Sequence, residues 1–164
     1  MKTSILQALN KQIQHEQNNA HIYHGVALYF KGMNLNGLAA WMEKQVGDER
    51  GHAQRFIDHV VDRGGAVELG ALPAPKLAYG SPLEAVKAVL ALEQSTTGMI
   101  GALYELAKKE KDHALEVALH WFISEQVEEE QWATELAGLM EQFHKNPGQL
   151  YMLDHRWGGR VKKD

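Results

Sequence analysis

Apolar residues recur at alternating spacings of three and four through four long stretches of the chain. This spacing places them along one face of an α-helix. The four stretches contain almost no proline, which would interrupt a helix. The pattern predicts helices at residues 3–30, 36–63, 81–110 and 112–143. The third has the clearest start, with Ser81 as N-cap, Pro82 at the first helical position and Glu84 in a capping box.

The connections between these helices differ in length. "KGMNLNG" and "KKEKDH" are short, which favours antiparallel neighbours. The second connection, "GGAVELGALPAPKLAYG" at residues 64–80, has no helical period. A helix of 28 residues is about 42 Å long, and 17 extended residues reach up to about 56 Å. We therefore predict an all-α four-helix bundle whose crossover between helices 2 and 3 runs the length of the bundle.

The C-terminal part predicts a short fifth helix. In "NPGQLYMLDHRWGG", Asn146 is the expected cap, Pro147 the first helical residue and Gly158 the stop, which gives a helix over residues 147–156. The final "GRVKKD" is predicted to be a loose tail. A chain of this length is expected to form a single domain, residues 1–164.

Composition excludes several classes of function. The net charge of −4 gives no electrostatic reason to expect a nucleic acid partner. Cysteine is absent, which rules out disulfides, thiolate zinc sites, iron–sulfur clusters and thiol nucleophiles. No apolar run approaches the roughly 20 residues of a membrane span, and the start is too polar for a signal peptide. We expect a cytoplasmic protein with no membrane partner.

Each of the four long helices carries an acid near the middle of its apolar stripe. These acids are Glu16, Glu49, Glu93 and Glu129. In the third helix, the stripe is traced through Glu93, Thr97 and Ile100. Burying four carboxylates without a counter-charge costs several kcal/mol for each ion, and no Lys or Arg lies at these levels. The pattern therefore predicts a metal site inside the bundle rather than a solvated face.

The ligand types narrow the choice of metal. "DERGH" places His52 one turn after Glu49, whereas the fourth helix has Gln126 one turn before Glu129. Oxygen donors with one imidazole suit Fe, Mn or Mg. Bundles that use one Glu or Glu-x-x-His unit per helix hold two such ions. Because a second Glu-x-x-His is missing, we predict that one ion is held more weakly.

Other residues near this level have open roles. Asp48, Glu125 and Glu128 fit a solvated face and an outer ion site about equally well. Tyr23 fits the core, with its hydroxyl within reach of a metal, and Trp121 fits packing. The remaining histidines have no partner at ligand spacing, and most of them are predicted to lie at the surface: His15, His21, His24, His59, His113, His120, His144 and His155.

Four motifs together resemble the bacterial non-haem ferritins: "LNKQIQHEQNNAHIY", "WMEKQVGDERGHAQRFIDHV", "LALEQS" and "HWFISEQVEEEQ". The resemblance covers nearly the whole chain, including the long crossover and the fifth helix. It implies a ferritin-like fold and a ferroxidase that stores iron. It further implies that 24 subunits form a hollow cage, in which Fe(II) is oxidised by O₂ or hydrogen peroxide and kept as ferric mineral.

The resemblance also assigns roles to individual residues. The first iron would be held by Glu16, Glu49 and His52. The second would be held by Glu93, Glu129 and a bridging Glu49, with Gln126 close to the oxygen site. A third iron site would fall on Asp48, Glu125, Glu128 and Glu129, although Asp48 is shorter than the familiar Glu. Tyr23 and Trp121 match aromatic residues near the centre, and Tyr23, Glu49 and Gln126 are the expected catalytic residues.

Related classes fit less well. Bacterioferritins bind haem through a Met directly after the bridging Glu, where this chain has Arg50, and they carry His in place of Glu129. No haem is therefore expected. Rubrerythrins need a cysteine-rich domain, and the small starvation ferritins build their site across a subunit interface. Two other functions stay open: a di-iron or di-manganese redox enzyme that stores no metal, and a non-catalytic helical module that binds a partner.

Overall fold

The computed structural model describes residues 1–161. Those residues form five helices and no strand: α1 (Thr3–Gly32), α2 (Asn36–Asp62), α3 (Pro82–Glu110), α4 (His113–Phe143) and α5 (Pro147–Val161). α1 packs along α2 and α3, α3 packs along α4, and α5 packs on α2 and α4. The prediction of an all-α four-helix bundle with one long crossover and a C-terminal fifth helix is confirmed. Within residues 1–161, the helices lack the combination of length and apolarity needed to cross a membrane.

Side chains cap two of the long helices. The Ser81 hydroxyl accepts a hydrogen bond from the Glu84 backbone N–H at 3.2 Å. The Glu84 carboxylate in turn accepts one from the Gly80 N–H at 3.1 Å, one residue before the position that a standard capping box uses. Asp112 accepts from the Leu115 N–H at 3.1 Å. Because a capping residue lies outside the helical turn, α3 and α4 each begin one residue later than predicted.

The crossover is held along α1 by two side-chain amides. Asn10 donates to the Ala66 carbonyl and accepts from the Glu68 N–H, both at 3.0 Å. Four residues later, Gln14 makes the same pair of bonds to Ala71 and Gly70, both at 2.9 Å. These bonds satisfy backbone groups that have no helical or sheet partner. The extended segment is thus fixed against the bundle rather than left as a free loop.

Asn10→Ala is expected to lower the free energy of unfolding by about 1–2 kcal/mol, because it leaves two backbone groups of the crossover without their partner. The measurement is urea denaturation, compared with the wild type. Gln7→Ala is the matched control, since it removes an exposed amide from the same helix. Equal midpoints for the two variants would contradict this role for Asn10.

The prediction that Gly158 ends the fifth helix is wrong, because α5 continues to Val161. Gly158 instead lies where α5 crosses α2. A Cβ at Gly158 would be 2.7 Å from the Cα of Gly37, and a Cβ at Gly37 would be 1.9 Å from the Asp154 carbonyl oxygen. The two glycines therefore permit a close helix crossing. Residues 159–161 of the predicted loose tail are helical, and residues 162–164 lie outside the described part of the chain.

Buried side chains fix α5 to the bundle. Trp157 is fully buried and meets Trp41 of α2 edge to face, with ring centroids 6.1 Å apart. Asp154 is buried and accepts a hydrogen bond from the Leu38 N–H at 2.8 Å. This bond satisfies one of the free N–H groups at the start of α2. The fifth helix is consequently an integral part of the fold.

A layer of buried polar residues separates two apolar clusters. One cluster includes Tyr23, Trp41 and Trp132, and the other includes Ile13 and Phe122. The layer between them contains the four mid-helix acids together with their polar neighbours. In the third helix the traced stripe is wrong at one position, since Thr96 is buried and Thr97 is exposed. The polar layer is where the candidate site lies.

Candidate metal centre

Each of the four long helices contributes a buried acid to the polar layer. Glu16, Glu49, Glu93 and Glu129 are at most 5% exposed, and so is His52. Glu49 and His52 are one turn apart on α2, so both point to the same side of that helix. Carboxylates at this depth need a cation or a proton to offset their lost hydration.

Two groups of side chains bring their ligand atoms close enough to share a metal ion. In the first, atoms of Glu16, Glu49 and His52 all lie within 4.8 Å of one another. In the second, His52 is joined by Glu125 and Glu129 at the same spacing. His52 belongs to both groups. Each group could therefore hold a metal ion, the first with three buried residues and the second with Glu125 partly buried.

Two carboxylate oxygens in the first group have no hydrogen-bond partner within residues 1–161. They are the Oε2 atoms of Glu16 and Glu49, and both are inaccessible to solvent. The Glu49 oxygen lies 3.4 Å from His52 Nδ1 without forming a hydrogen bond. A buried polar atom without a partner calls for an explanation. Carboxylate oxygens with free lone pairs suit the binding of iron or another hard cation.

Burial and mutual repulsion raise the pKa values of these acids. Burial, and then the negative charge of Glu49, raises the pKa of Glu16 well above its usual value. Burial also raises the pKa of Glu49 well above its usual value, and the charges of Glu93 and Glu129 add to this. Burial and the charge of Glu93 raise the pKa of Glu129 to about 7. The metal-free site therefore holds protons, which binding of a cation must displace.

Hydrogen bonds orient the acids on the other side of the site. The Tyr23 hydroxyl donates to Glu93, and the Gln126 amide donates to the carboxylate and the backbone carbonyl of Glu93, at 3.4 and 3.3 Å. Trp132 Nε1 donates to Glu129 at 2.5 Å. Such partners fix the orientation of metal-ligating carboxylates. Tyr23 and Gln126 were predicted near the site from the sequence, whereas Trp132 was not among the predicted site residues.

The acids proposed for an outer site are placed differently from one another. Glu125 is half-buried and belongs to the group with His52 and Glu129. Asp48 is half-buried and pairs with Lys44 at 3.0 Å, and Glu128 is exposed. Asp48 and Glu128 lie outside both groups of ligand atoms. The solvent exposure of the side chains therefore decreases from Glu128 through Glu125 to Glu129.

Comparison with known proteins places the chain in a family. Residues 6–143 match the family described as ferritin, ferritin-like domain. The chain belongs to the ferritin family. It is 34% identical over 161 residues to the bacterial non-heme ferritin of Staphylococcus aureus, covering 98% of this chain and 97% of that relative. The corresponding protein of Staphylococcus haemolyticus is 40% identical over 130 residues, covering 79% of this chain and 78% of the relative.

Solved ferritin structures have the same fold. An open-pore ferritin from the archaeon Archaeoglobus fulgidus superposes with a TM-score of 0.94 at 35% identity, covering 96% of this chain and 98% of that one. A structure described as a humanized archaeal ferritin also has a TM-score of 0.94, at 34% identity, and covers 96% of both chains.

This ferritin chain supports its acids with polar residues that sequence reasoning missed. Gln12 donates to Glu16 at 2.7 Å. Asn19 is fully buried and donates to Thr96 at 3.1 Å. His15 contacts the same Thr96 hydroxyl at 2.8 Å and is partly buried, so it is not one of the surface histidines. Gln12 and Glu16 are four residues apart on one helix face, a spacing that could have revealed this contact. The contacts to Thr96 join residues about 80 positions apart in the sequence. Spacing within one helix could not have predicted them.

Trp121 packs against the imidazole of this ferritin site. Its ring meets the His52 ring edge to face, with the ring centroids 5.5 Å apart. The Arg55 guanidinium lies over the Trp121 ring, 3.8 Å from the ring centroid. A cation held over an indole face is attracted to its electrons. The Trp121 ring is thus held by Arg55 on the outside and supports His52 on the inside, consistent with the packing role expected from the sequence.

Proposed function

We propose that this chain is an iron-storage ferritin that oxidises Fe(II) to Fe(III) at a dinuclear centre inside each bundle. In this proposal the assembled protein keeps the product as ferric mineral in a hollow cage. The observation that carries it is the set of four buried acids, in which one oxygen each of Glu16 and Glu49 has no hydrogen-bond partner in the described part of the chain. Membership of the ferritin family supports iron as the cation.

We assign the ligands of the two iron ions to opposite sides of the site. Glu16 and His52 hold the first Fe(II), Glu93 and Glu129 hold the second, and Glu49 bridges the two. Glu49 suits the bridge because one of its carboxylate oxygens lies within 4.8 Å of ligand atoms of Glu16 and His52, while the charges of Glu93 and Glu129 raise its pKa. We therefore assign its carboxylate to a position between the two pairs of ligands.

Iron is the substrate and the stored cargo of this reaction. Each Fe(II) gives up one electron, so two ions supply the two electrons that convert O₂ and two protons to hydrogen peroxide, or hydrogen peroxide and two protons to water. Carboxylate ligands favour the harder Fe(III). The protein contributes Tyr23 and Gln126, which hold the Glu93 carboxylate in place, and Trp132, which holds Glu129.

A third iron site lies at the outer edge of the centre. We assign it to Glu125 and Glu129, with Asp48 and Glu128 as the outer acids of the same surface. The descending exposure from Glu128 to Glu129 supports a path along which Fe(II) loses its water in steps. The negative charge of Asp48 also raises the pKa of Glu129, and the same charge would attract Fe(II) to this surface.

For assembly, we propose a homo-oligomeric cage of 24 subunits in the cytoplasm. The solved structures with the same fold include an open-pore ferritin and an engineered closed form of it, which supports a cage. The length of α5, which continues to Val161, supplies a rigid C-terminal element for contacts between subunits.

The two iron ions are expected to bind with dissociation constants that differ by about tenfold or more, which is about 1.4 kcal/mol. The reason is that only the first ion has an imidazole ligand. The measurement is anaerobic calorimetric titration with Co(II), which binds without being oxidised. Glu93→Gln should weaken only the second ion. Equal constants for the two ions in the wild type would contradict this asymmetry.

The proposed reaction is tested by adding about two Fe(II) per chain to the apoprotein in air and following oxidation by absorbance. Oxidation much faster than in buffer alone is expected. A rate equal to that of buffer would overturn the ferroxidase proposal.

A further inference from the structure

A groove on the surface of the bundle reaches the proposed iron site from one side. It lies between α3 and α4 and has a volume of about 650 Å³. Most of its surface is apolar and comes from residues such as Ile100 and Gly101 of α3 and Ile123 and Val127 of α4, and Glu105 and Glu130 also line it. The proposed reaction needs a path for its oxidant, because the acids of the centre are buried.

The inner end of the groove is formed by Gln126. This side chain is only 5% exposed, yet it lines the groove. Its amide donates to Glu93, a proposed ligand of the second iron, and to the Thr97 hydroxyl at 3.2 Å. Gln126 therefore contacts the groove on one side and the iron site on the other.

The groove and the acidic surface lie on opposite flanks of α4. At 3.6 residues per turn, Ile123 and Val127 lie to one side of the inward-facing Glu129, and Glu125 and Glu128 lie to the other. Hydrated Fe(II) would lose its water at great cost against apolar walls, whereas the acids on the opposite flank suit it. The groove instead suits a small neutral molecule.

We propose that the α3–α4 groove is the binding and entry site for O₂, and that iron and oxygen reach the centre from opposite flanks of α4. The inference rests on the proposed function, because it assigns the route of that reaction's oxidant. The apolar walls commit the site to O₂ rather than to hydrogen peroxide, which is polar and remains hydrated.

Gly101 offers a direct way to fill the groove. A Cβ added there would meet no heavy atom within 4 Å, so Gly101→Leu extends into open space at the groove wall. Gly138 is also exposed and open, and it lies on α4 about two turns beyond the groove. Gly138→Leu is the matched control, because both changes replace a helical glycine by a better helix former.

The test is stopped-flow oxidation of Fe(II) by the assembled protein at a series of O₂ concentrations. Gly101→Leu is expected to raise the KM for O₂ about fivefold with kcat at saturating O₂ unchanged, as loss of substrate binding does. Gly138→Leu should match the wild type, and all three proteins should react equally fast with hydrogen peroxide. An unchanged KM for O₂ in Gly101→Leu would overturn the proposal. Equal slowing with both oxidants would also overturn it, since the leucine would then be disturbing the centre itself.

Xenon provides a second measurement that needs neither iron nor activity. This apolar gas binds in apolar cavities of proteins. In crystals under xenon pressure, the wild type and Gly138→Leu should hold xenon in the groove, and Gly101→Leu should not. If the wild type oxidises no Fe(II), the proposed function fails, and xenon still decides whether the groove binds an apolar molecule. A groove without xenon in the wild type, or one filled by a neighbouring subunit, would overturn the proposal.

Discussion

Glu49→Ala should slow the initial oxidation of Fe(II) by about 100-fold or more, since loss of even an outer partner of a metal ligand costs about 10- to 100-fold. Glu49 is the one acid proposed to contact both ions, so its removal weakens both sites at once. Its buried Oε2 has no hydrogen-bond partner in the described part of the chain, so no other group there depends on that oxygen. The measurement is stopped-flow oxidation with about two Fe(II) per chain.

The control for Glu49→Ala is Glu43→Ala, which removes an exposed acid from the same helix, outside both groups of ligand atoms. Its initial rate should stay within about twofold of the wild type, because an exposed charge interacts weakly with the centre. Folding is checked in parallel, and Glu49→Ala should be no less stable than the wild type because it removes a buried acid. Near-normal initial oxidation by Glu49→Ala would refute the bridging role.

The metal-free protein should lose stability as the pH rises from about 4.5 to about 7. The pKa of Glu129 is raised from 4.5 to about 7 in the folded state. Between these values the folded chain binds a proton that the unfolded chain has released, so the free energy of unfolding falls with rising pH. Glu129 alone accounts for about 3 kcal/mol, and Glu16 and Glu49, whose pKa values are also raised, act in the same direction.

This pH dependence has a matched variant and a metal control. Urea denaturation of Glu129→Gln should show a smaller loss between pH 5 and pH 7 than the wild type, and Glu105→Gln, which alters an exposed acid, should not. The Asp112 carboxyl has a lowered pKa, so its contribution is lost only below about 3.8, outside this range. Co(II) should restore stability at pH 7 by binding the folded state alone. Stability that rises with pH in the metal-free protein would contradict the account.

Much of the bundle follows from the sequence because its signals are periodic. A helix buries one face, so the spacing of Leu9, Ile13 and Ala20 gives both the helix and the direction of Glu16. An acid at such a position must be paired, protonated or bound to a cation. Four acids at the same level therefore predict a site for cations, and the structure buries all four. The crossover followed from its length and its lack of helical period.

The features that the sequence did not predict depend on contacts between distant residues. Gly158 is a residue type that often ends helices, yet it lies within the helix against Gly37, which is more than 100 positions earlier in the sequence. Asn10 and Gln14 look like ordinary surface residues of α1 until the crossover is laid beside them. Trp132 fits the apolar stripe, and only the position of Glu129 gives its N–H an acceptor. The spacing of residues within one helix cannot predict contacts of this kind.

Stepwise aerobic addition of Fe(II) to the apoprotein, followed by removal of unbound iron and a count of soluble iron per chain, tests the central claim most directly. An iron-storing ferritin should oxidise each addition and keep iron far beyond the roughly two ions that its centre holds. Uptake that stops at about two ions per chain would contradict storage and leave a di-iron redox enzyme. Oxidation no faster than in buffer would contradict the ferroxidase centre itself.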